Sequence, residues 1–320
     1  MDAIATYLKT LGHPDRLRIL ALLSHGELTV SELVQILDLS QPRVTQYIKS
    51  LEKVGIVERL REGSWIFSRL KREQGTYSGI LAETLAVLST ENKQLESDRN
   101  RLNKVRAHRS QQAEAFFASV ANDQGQLGHE YLPQKDIETA LLKLVSGKNF
   151  QRMVDFGTGT GRMLKLFAPY IKSGVGVDDS VEMLRVARHA ISEDAYTHIS
   201  VQKADLKDAP LKDAAADLVT MHQVLHFLDE PSRAVKEAAR LLGSGGHILI
   251  TDFAAHNFEN YRDSYSHRRL GFSDSDMQQF LSESEFELRK VETIPAWDAS
   301  TPDVKIWYAI RQPNSALMTG

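Results

Sequence analysis

The nine residues Val154 to Arg162, Val-Asp-Phe-Gly-Thr-Gly-Thr-Gly-Arg, constrain this chain's fold more than any other stretch. A short apolar run precedes them, and an amphipathic run ending near Ile171 comes after. Strand, glycine loop and helix in that order let a backbone turn tightly and approach a ligand closely. Gly157, Gly159 and Gly161 alternate, whereas a dinucleotide fold would show GxGxxG.

The residues beyond the loop narrow the ligand. A second apolar run ends in Asp178, 23 residues after Asp155. An acid at the end of a second parallel strand can accept both ribose hydroxyls. A third run leads to Asp205, a candidate acceptor for an adenine amino group. Further runs over 215–227 and 241–253 give a fourth and a fifth strand, and two near the C-terminus read as a closing antiparallel pair. Strands alternating with helices predict a doubly wound, Rossmann-like α/β sheet, with a nucleoside lying across the carboxyl ends of its first, second and fourth strands.

The front of the chain reads differently. Leu17, Ile19, Leu20, Leu22 and Leu23 form one helical face that Gly26 stops. A second helix is expected with Ser31 as its N-cap and Leu33, Ile36 and Leu37 turned inward. A third begins behind Ser40 with Pro42 in its first turn and ends at Gly55. Its inner face is Val44, Ile48 and Leu51; Arg43, Thr45, Gln46, Lys49 and Lys53 lie away from it. Two alternating runs around Glu62-Gly63-Ser64 predict a hairpin. Helix-turn-helix plus hairpin is an α+β winged domain whose third helix suits a DNA groove. Ser40, Gln41, Arg43, Thr45, Gln46 and Lys49 are the candidate DNA contacts on that helix. Arg59 and Arg61, with Arg69, are candidates on the wing, reaching phosphate or minor groove.

Between the two regions, Ile80 to Gln124 contains neither Gly nor Pro. Leu81, Leu85, Leu88, Asn92, Leu95, Arg99 and Leu102 alternate in steps of four and three, the seam of a long dimerisation helix with Asn92 at an a position. The basic run Arg99 to Arg109 reads as a solvated helix face. The expected division is 1–74 winged helix, 75–124 helical linker and 125–320 nucleoside-binding domain. Charge follows it, with a net +4 over 1–110 and −7 over 111–320.

There are no cysteines, which excludes disulfides, thiolate zinc sites and cysteine nucleophiles. No apolar run is long enough to span a bilayer, and no signal-peptide pattern opens the chain, so the expectation is a cytoplasmic protein without membrane contact.

Two resemblances rest on these residues. Residues 4–72, through LGHPDRLRILALL, ELTVSEL, LSQPRVTQYIKSLEKVGIV and REGSWIFSRL, resemble the ArsR family of winged-helix repressors. That implies a homodimer on a palindromic operator in double-stranded DNA. Metal-sensing members often carry cysteines in the segment matching ELTVSEL; here Thr29 and Ser31 stand there, which removes a thiolate sensor. Residues 115–311, through VDFGTGTG, GVDDSVEML, KADLKDAPL and VLHFLDEP, resemble class I methyltransferases that use S-adenosylmethionine (SAM). The resemblance implies that Asp155 and Gly157 bracket the methionine part and Asp178 holds the ribose. Met183 would pack on the nucleoside, Asp205 with Leu206 would contact adenine, and His222 would face the sulfonium. Thr158, Gly159, Gly161 and Asp179 complete the cofactor-binding set. The segment 252–273 resembles the cover of an acceptor pocket. The Trp-Asp pair that precedes the fold in many relatives has no counterpart in residues 116–132, which weakens closure over a substrate.

Two functions fit these residues. SAM, or its demethylated product S-adenosylhomocysteine (SAH), acts as effector of a DNA-binding regulator. Alternatively, the chain methylates a small-molecule acceptor in a pocket lined by His222, His226, His256 and His267, with the head regulating its operon. Arsenite methylation lacks the thiols it needs, and DNA methylation lacks a Pro-Cys nucleophile.

Overall fold

A computed structural model describes residues 1–62, 65–71, 77–88, 92–107, 132–194, 196–261, 267–298 and 300–313. It divides into two compact units, Met1–Ala113 with Arg188–Ser200, and Glu114–Ala187 with Val201–Gly320.

The first unit opens with α1 (Asp2–Leu11) and α2 (Pro14–Leu23). Pro14 starts α2 behind His13, whose ring accepts the Asp15 amide at 3.2 Å. After the short β1 (Leu28–Thr29) comes α3 (Val30–Leu37), and its cap differs from the expected Ser31. Thr29 is the N-cap, and Glu32 returns the bond in a capping box. The reciprocal pair needs an acid three residues on; Ser31 would have Val34 there. Thr29's hydroxyl is therefore committed to holding a helix start. α4 (Gln41–Lys53) follows behind Ser40, which caps by position without a side-chain bond. Val44, Ile48 and Leu51 are buried as expected, and Tyr47 joins them. β2 (Val57–Glu62) and β3 (Trp65–Leu70) pair antiparallel from Val57↔Leu70 to Glu62↔Trp65, and β1 joins the other side of β3. The predicted turn at Gly63-Ser64 lies outside the described residues.

The linker differs from the expected single helix. α5 (Ser78–Leu88) ends before Asn92, and a further helix, α6, spans 93–107. The Asn92 side chain accepts the amides of Gln94 and Leu95 at 2.9 and 3.3 Å, so it caps α6 from an exposed position instead of sitting in a buried seam. Leu81, Leu102 and Val105 are buried in the same core as α2, α3 and α4. Asp98, fully buried on α6, accepts from Arg18 of α2 at 2.7 and 2.9 Å. A four-and-three repeat serves equally for packing on the chain's own domain, and here Leu81 and Leu102 of the seam pack so. The remainder of the expected helix, with Arg109, lies outside the described residues.

The second unit is built on a seven-stranded sheet. After α7 (Gln134–Leu144) come β4 (Arg152–Phe156), α8 (Arg162–Phe167), β5 (Ser173–Asp178), α9 (Val181–Glu193) and β6 (Ile199–Lys203), of which the end of α9 and the start of β6 belong to the stretch Arg188–Ser200 of the first unit. Then follow β7 (Ala216–His222), α10 (Pro231–Leu241), β8 (Leu242–Phe253), α11 (Asp274–Glu283), β9 (Phe286–Ile294) and β10 (Val304–Arg311). The order is β6-β5-β4-β7-β8-β10-β9. β5, β4, β7 and β8 run parallel; β10 is antiparallel to both β8 and β9, the predicted closing pair. The central strands are apolar on both faces, as a helix-covered sheet requires, with Phe156, Val177, Val219, Ile250 and Trp307 fully buried. β5 lies on one side of β4 and β7 on the other, so chain direction away from β4 reverses there. A ligand crevice opens at such a point, outside the carboxyl ends. Among the described residues no helix is long and apolar enough to cross a membrane.

Candidate functional site

The loop after β4 adopts what its glycines allow. Gly157, Gly159 and Gly161 have φ of +65°, +50° and +82°, in the left-handed region that costs a side chain energy. A Cβ on Gly157 would also stand 2.2 Å from Val224 Cγ2. At Gly159 a Cβ would meet only the Gly157 carbonyl, at 4.0 Å, so the loop backbone is open there.

Two aspartates hold this loop. Asp155 is 1 % exposed beneath it and accepts the hydroxyls of Thr158 (2.7 Å) and Thr220 (2.6 Å). Burial raises its carboxyl to about 7, against the pull of those two hydroxyls. Both partners are the chain's own hydroxyls, and Thr158 likewise turns its oxygen inward. Asp178, at the end of β5, accepts the Gly159 amide at 2.8 Å and the Ser180 amide at 2.9 Å. Burial raises its carboxyl too, while these amide bonds oppose the rise.

The other expected cofactor residues lie along the same carboxyl edge. Asp179 is exposed and Met183 half-buried on the first turn of α9, its amide bonded to the Ser180 hydroxyl at 3.2 Å. After β6, Asp205 is exposed and accepts the Lys207 amide at 2.9 Å, while Leu206 is buried in the core. His222 ends β7, half-buried.

Residues beyond the expected set also stand here. Gln223 follows His222 with a φ of +55°, a left-handed conformation unusual for glutamine, held by its amide on the Thr251 carbonyl. The bend puts Val224 against Gly157. Gln223 is 5 % exposed, and neither its side-chain oxygen nor its side-chain nitrogen has a partner among the described residues. A buried amide left so costs free energy that a bound polar group would recover. An amide donates and accepts, which suits an amino-acid moiety carrying both ammonium and carboxylate. With the carboxylates of Asp178 and Asp205 on the same edge of the sheet, this donor and acceptor set fits SAM or SAH. The sequence signal was weak: a lone Gln after a strand carries no pattern.

The carboxyl ends of β7 and β8 also gather histidines. His226 Nδ1 lies 2.6 Å from Asp252 Oδ1, with both residues buried. His267 stacks on His226 at 4.0 Å between centroids, and His256 contacts Phe253 and Tyr261 edge-on. Three of the four expected acceptor-pocket histidines therefore share one aromatic cluster. Asp252, which organises it, was not anticipated, although an acid ending a parallel strand is a signal for such a role. Residues 262–266 of the expected cover, and the stretch 116–131 where the Trp is missing, lie outside the described residues.

In the first unit, α4 presents the expected polar face. Ser40, Gln41, Arg43, Gln46 and Lys49 are exposed and Thr45 half-buried. Arg43 Nε donates to the Tyr47 hydroxyl at 2.9 Å, and that hydroxyl donates to Asp15 at 3.1 Å, which fixes the stem of an exposed guanidinium. Arg59, on β2, pairs with Glu52 at 2.7 Å at the surface. Arg69 departs from expectation. It is mostly buried and pairs with Glu58 at 2.5 Å and Glu27 at 3.1 Å, so its charge is spent inside the fold. The Arg61 side chain lies outside the described residues.

A doubly wound sheet with this loop, behind a winged helix, defines a protein with a methyltransferase fold and a DNA-reading head. Residues 154–250 match the family model described as a methyltransferase domain, and residues 13–59 match that of bacterial regulatory proteins of the arsR family. The ubiquinone biosynthesis O-methyltransferase of Alkalilimnicola ehrlichii is 31% identical over 170 residues, 49% of this chain and 67% of that protein. The chain belongs to the SAM-dependent methyltransferases through its second half and carries an ArsR-family head. The biofilm growth-associated repressor of Agrobacterium fabrum is 42% identical over 71 residues, 22% of this chain and 61% of that one. Among solved structures, the N-methyltransferase NodS of Bradyrhizobium japonicum, in complex with SAH, shares the fold at a TM-score of 0.51 and 17% identity, covering 63% of this chain and 99% of its own. The chain spans about half the length of several other curated methyltransferases that it matches.

Proposed function

We propose that this protein is a transcription factor whose affinity for DNA is set by SAM or SAH at the glycine-loop site. The observation that carries the reading is Asp178 tied to the Gly159 amide on a chain that also presents the exposed polar face of α4. A ligand that takes up Asp178 and Gln223 binds the arrangement of the loop that suits it. It changes DNA affinity to the extent that it binds the DNA-competent and DNA-free states differently. NodS, a structural relative, was solved with SAH, which supports the choice of ligand class.

In this reading the protein works as a cytoplasmic homodimer on a palindromic operator. The match of residues 13–59 to the arsR family model supports its DNA-binding part. The candidate DNA contacts are Ser40, Gln41, Arg43, Thr45, Gln46 and Lys49, with Arg59 and Arg61 on the wing. Asp155, Gly157, Thr158, Gly159, Gly161, Asp178, Asp179, Met183, Asp205, Leu206 and His222 form the ligand site, and Gln223 joins them. Calorimetry with SAH and SAM, followed by operator binding with each, tests the reading; nucleoside binding without any change in DNA affinity overturns it.

A second reading, methylation of a small-molecule acceptor, is favoured by one observation, the buried His226–Asp252 pair beside the glycine loop. A sulfonium methyl donor carries its own driving force, so a protein's share of the reaction is alignment, desolvation and, for some acceptors, removal of a proton.

A further inference from the structure

Glu27, immediately before β1, holds two arginines from distant parts of the chain. Its Oε1 accepts from Arg69 Nη1 at 3.1 Å, and its Oε2 accepts from Arg188 Nε at 2.9 Å. Arg69 belongs to β3 and also donates to Glu58 at 2.5 Å and to the Ser200 hydroxyl at 2.7 Å. The Arg188 guanidinium lies 3.9 Å from the centre of the Phe67 ring, again on β3. All six residues belong to the first unit.

Arg188 is the informative member. The inner face of α9 is Leu184, Ala187 and Ile191, all buried, and Arg188 stands one position beyond Ala187. A guanidinium beside such a face usually reaches water, yet Arg188 is only 6% exposed. Burying a charge is costly unless a counter-charge and hydrogen bonds replace the water. Glu27 supplies the counter-charge and the bond, and the face of Phe67 adds a cation–π contact. The clasp is balanced, two arginines against Glu27 and Glu58.

The segments that carry the clasp continue into the second unit. The division falls inside α9, after Ala187, and inside β6, after Ser200. Followed back from Arg188, about two turns of α9 lead to Met183, the Ser180 hydroxyl and Asp178. Followed on from Ser200, β6 leads to Ala204, whose amide donates to the Asp178 carbonyl at 3.0 Å. Both paths reach the acid that holds the glycine loop. In the other direction, Glu27 runs straight into β1 and the Thr29 cap of α3, while Phe67 and Arg69 lie on the wing, with Thr29 opposite Phe67. A buried ion pair passes a displacement on, because its strength depends on distance and angle at the ångström scale.

We propose that Glu27 is the joint through which nucleoside occupancy reaches the DNA-reading head. A ligand that draws on Asp178 shifts α9 and β6, and the Arg188–Glu27–Arg69 clasp passes the shift to β1, the start of α3 and the wing. The proposal rests on the effector reading of the glycine loop and names the residues that carry its regulation. Glu27 lies in neither the candidate ligand set nor the candidate DNA contacts, so its loss uncouples the two sites and leaves each in place.

The test is the affinity of the full chain for DNA from its own promoter region, with and without saturating SAH or SAM. Wild type, Glu27→Gln and Glu27→Gln/Arg188→Gln are compared; the double variant removes a cation with the anion and restores the charge balance that the single variant loses. The wild type is expected to change affinity at least about fivefold with one nucleoside, and DNA to change the affinity for that nucleoside by the same factor. Both variants are expected to keep nucleoside binding and ligand-free DNA binding within about threefold, while the coupling falls below about twofold. Hydrogen exchange of the wild type should change over β1 and β3 when that nucleoside binds, and this result decides if neither variant folds. Wild-type coupling in either variant, outright loss of either binding in a folded variant, or unaltered exchange over β1 and β3 overturns the clasp alone. An uncoupled wild type with nucleoside bound overturns the effector reading and the clasp together.

Discussion

Asp178 accepts the main-chain N–H of Gly159 at 2.8 Å, so the acid ending β5 and the loop following β4 form one hydrogen-bonded object. Asp178→Ala removes that bond together with the proposed ribose contact. SAH affinity is expected to fall at least tenfold, since hydrogen bonds to a charged group contribute about 1.5–3 kcal/mol each. DNA binding without ligand should persist. Calorimetry with SAH, beside anisotropy with labelled DNA, checks both halves.

Gly157 faces Val224 with no room for a methyl group, at a φ of +65°. Gly157→Ala is expected to destabilise the second unit by about 2–4 kcal/mol, from left-handed strain and overpacking together. Val224→Ala in the same chain should recover the packing part and leave the strain. Chemical denaturation of the two single variants and the double variant measures this, and additive losses would contradict the contact.

Asp155 carries a carboxyl raised by burial to about 7, so folding favours its protonated form. The folded state then holds a proton that the unfolded chain releases near its ordinary value of 3.8. The resulting stability is fully present below that value and is lost as pH rises through about 7. Its full size is on the order of 4 kcal/mol. Denaturant midpoints between pH 5 and 8 should fall with rising pH, and Asp155→Asn should flatten the slope.

The arginines of the first unit divide by their surroundings. Arg43→Ala and Lys49→Ala should weaken DNA binding and each lower the salt slope by about 1, with folding unchanged. Arg69→Ala should do the opposite. It takes a cation from Glu58 and one of two from Glu27, which keeps Arg188 at 2.9 Å, so it costs roughly 1–3 kcal/mol of stability and leaves the salt slope alone. Salt titrations of DNA affinity and thermal melts of the three variants separate the roles.

The sequence was most legible where one residue type alone can meet a backbone demand. Gly157, Gly159 and Gly161 announce their left-handed turn, and Asp178 follows at a spacing that one strand–helix–strand unit dictates. It was less legible wherever the partner decides the role. Asn92 has the spacing of a buried seam residue, yet it caps α6, because four-and-three spacing is shared by seams and by any helix packed on its own domain. Arg69 is as basic as Arg59, but Glu58 opposite it in the hairpin and Glu27 farther back in the chain neutralise it. Gln223 carries no local pattern, and Asp252 shows only an acid near a strand end; the parts of both depend on strand order, which sets β8 beside β7.

The most direct test of the account is the affinity of the full chain for DNA from its own promoter region, measured by anisotropy with and without saturating SAH or SAM. The wild type should show a change of at least about fivefold with one of the two nucleosides, the lower end of ordinary allosteric coupling. Asp178→Ala should show none while keeping its ligand-free affinity. An identical affinity in all conditions, with nucleoside binding confirmed by calorimetry, would contradict the account.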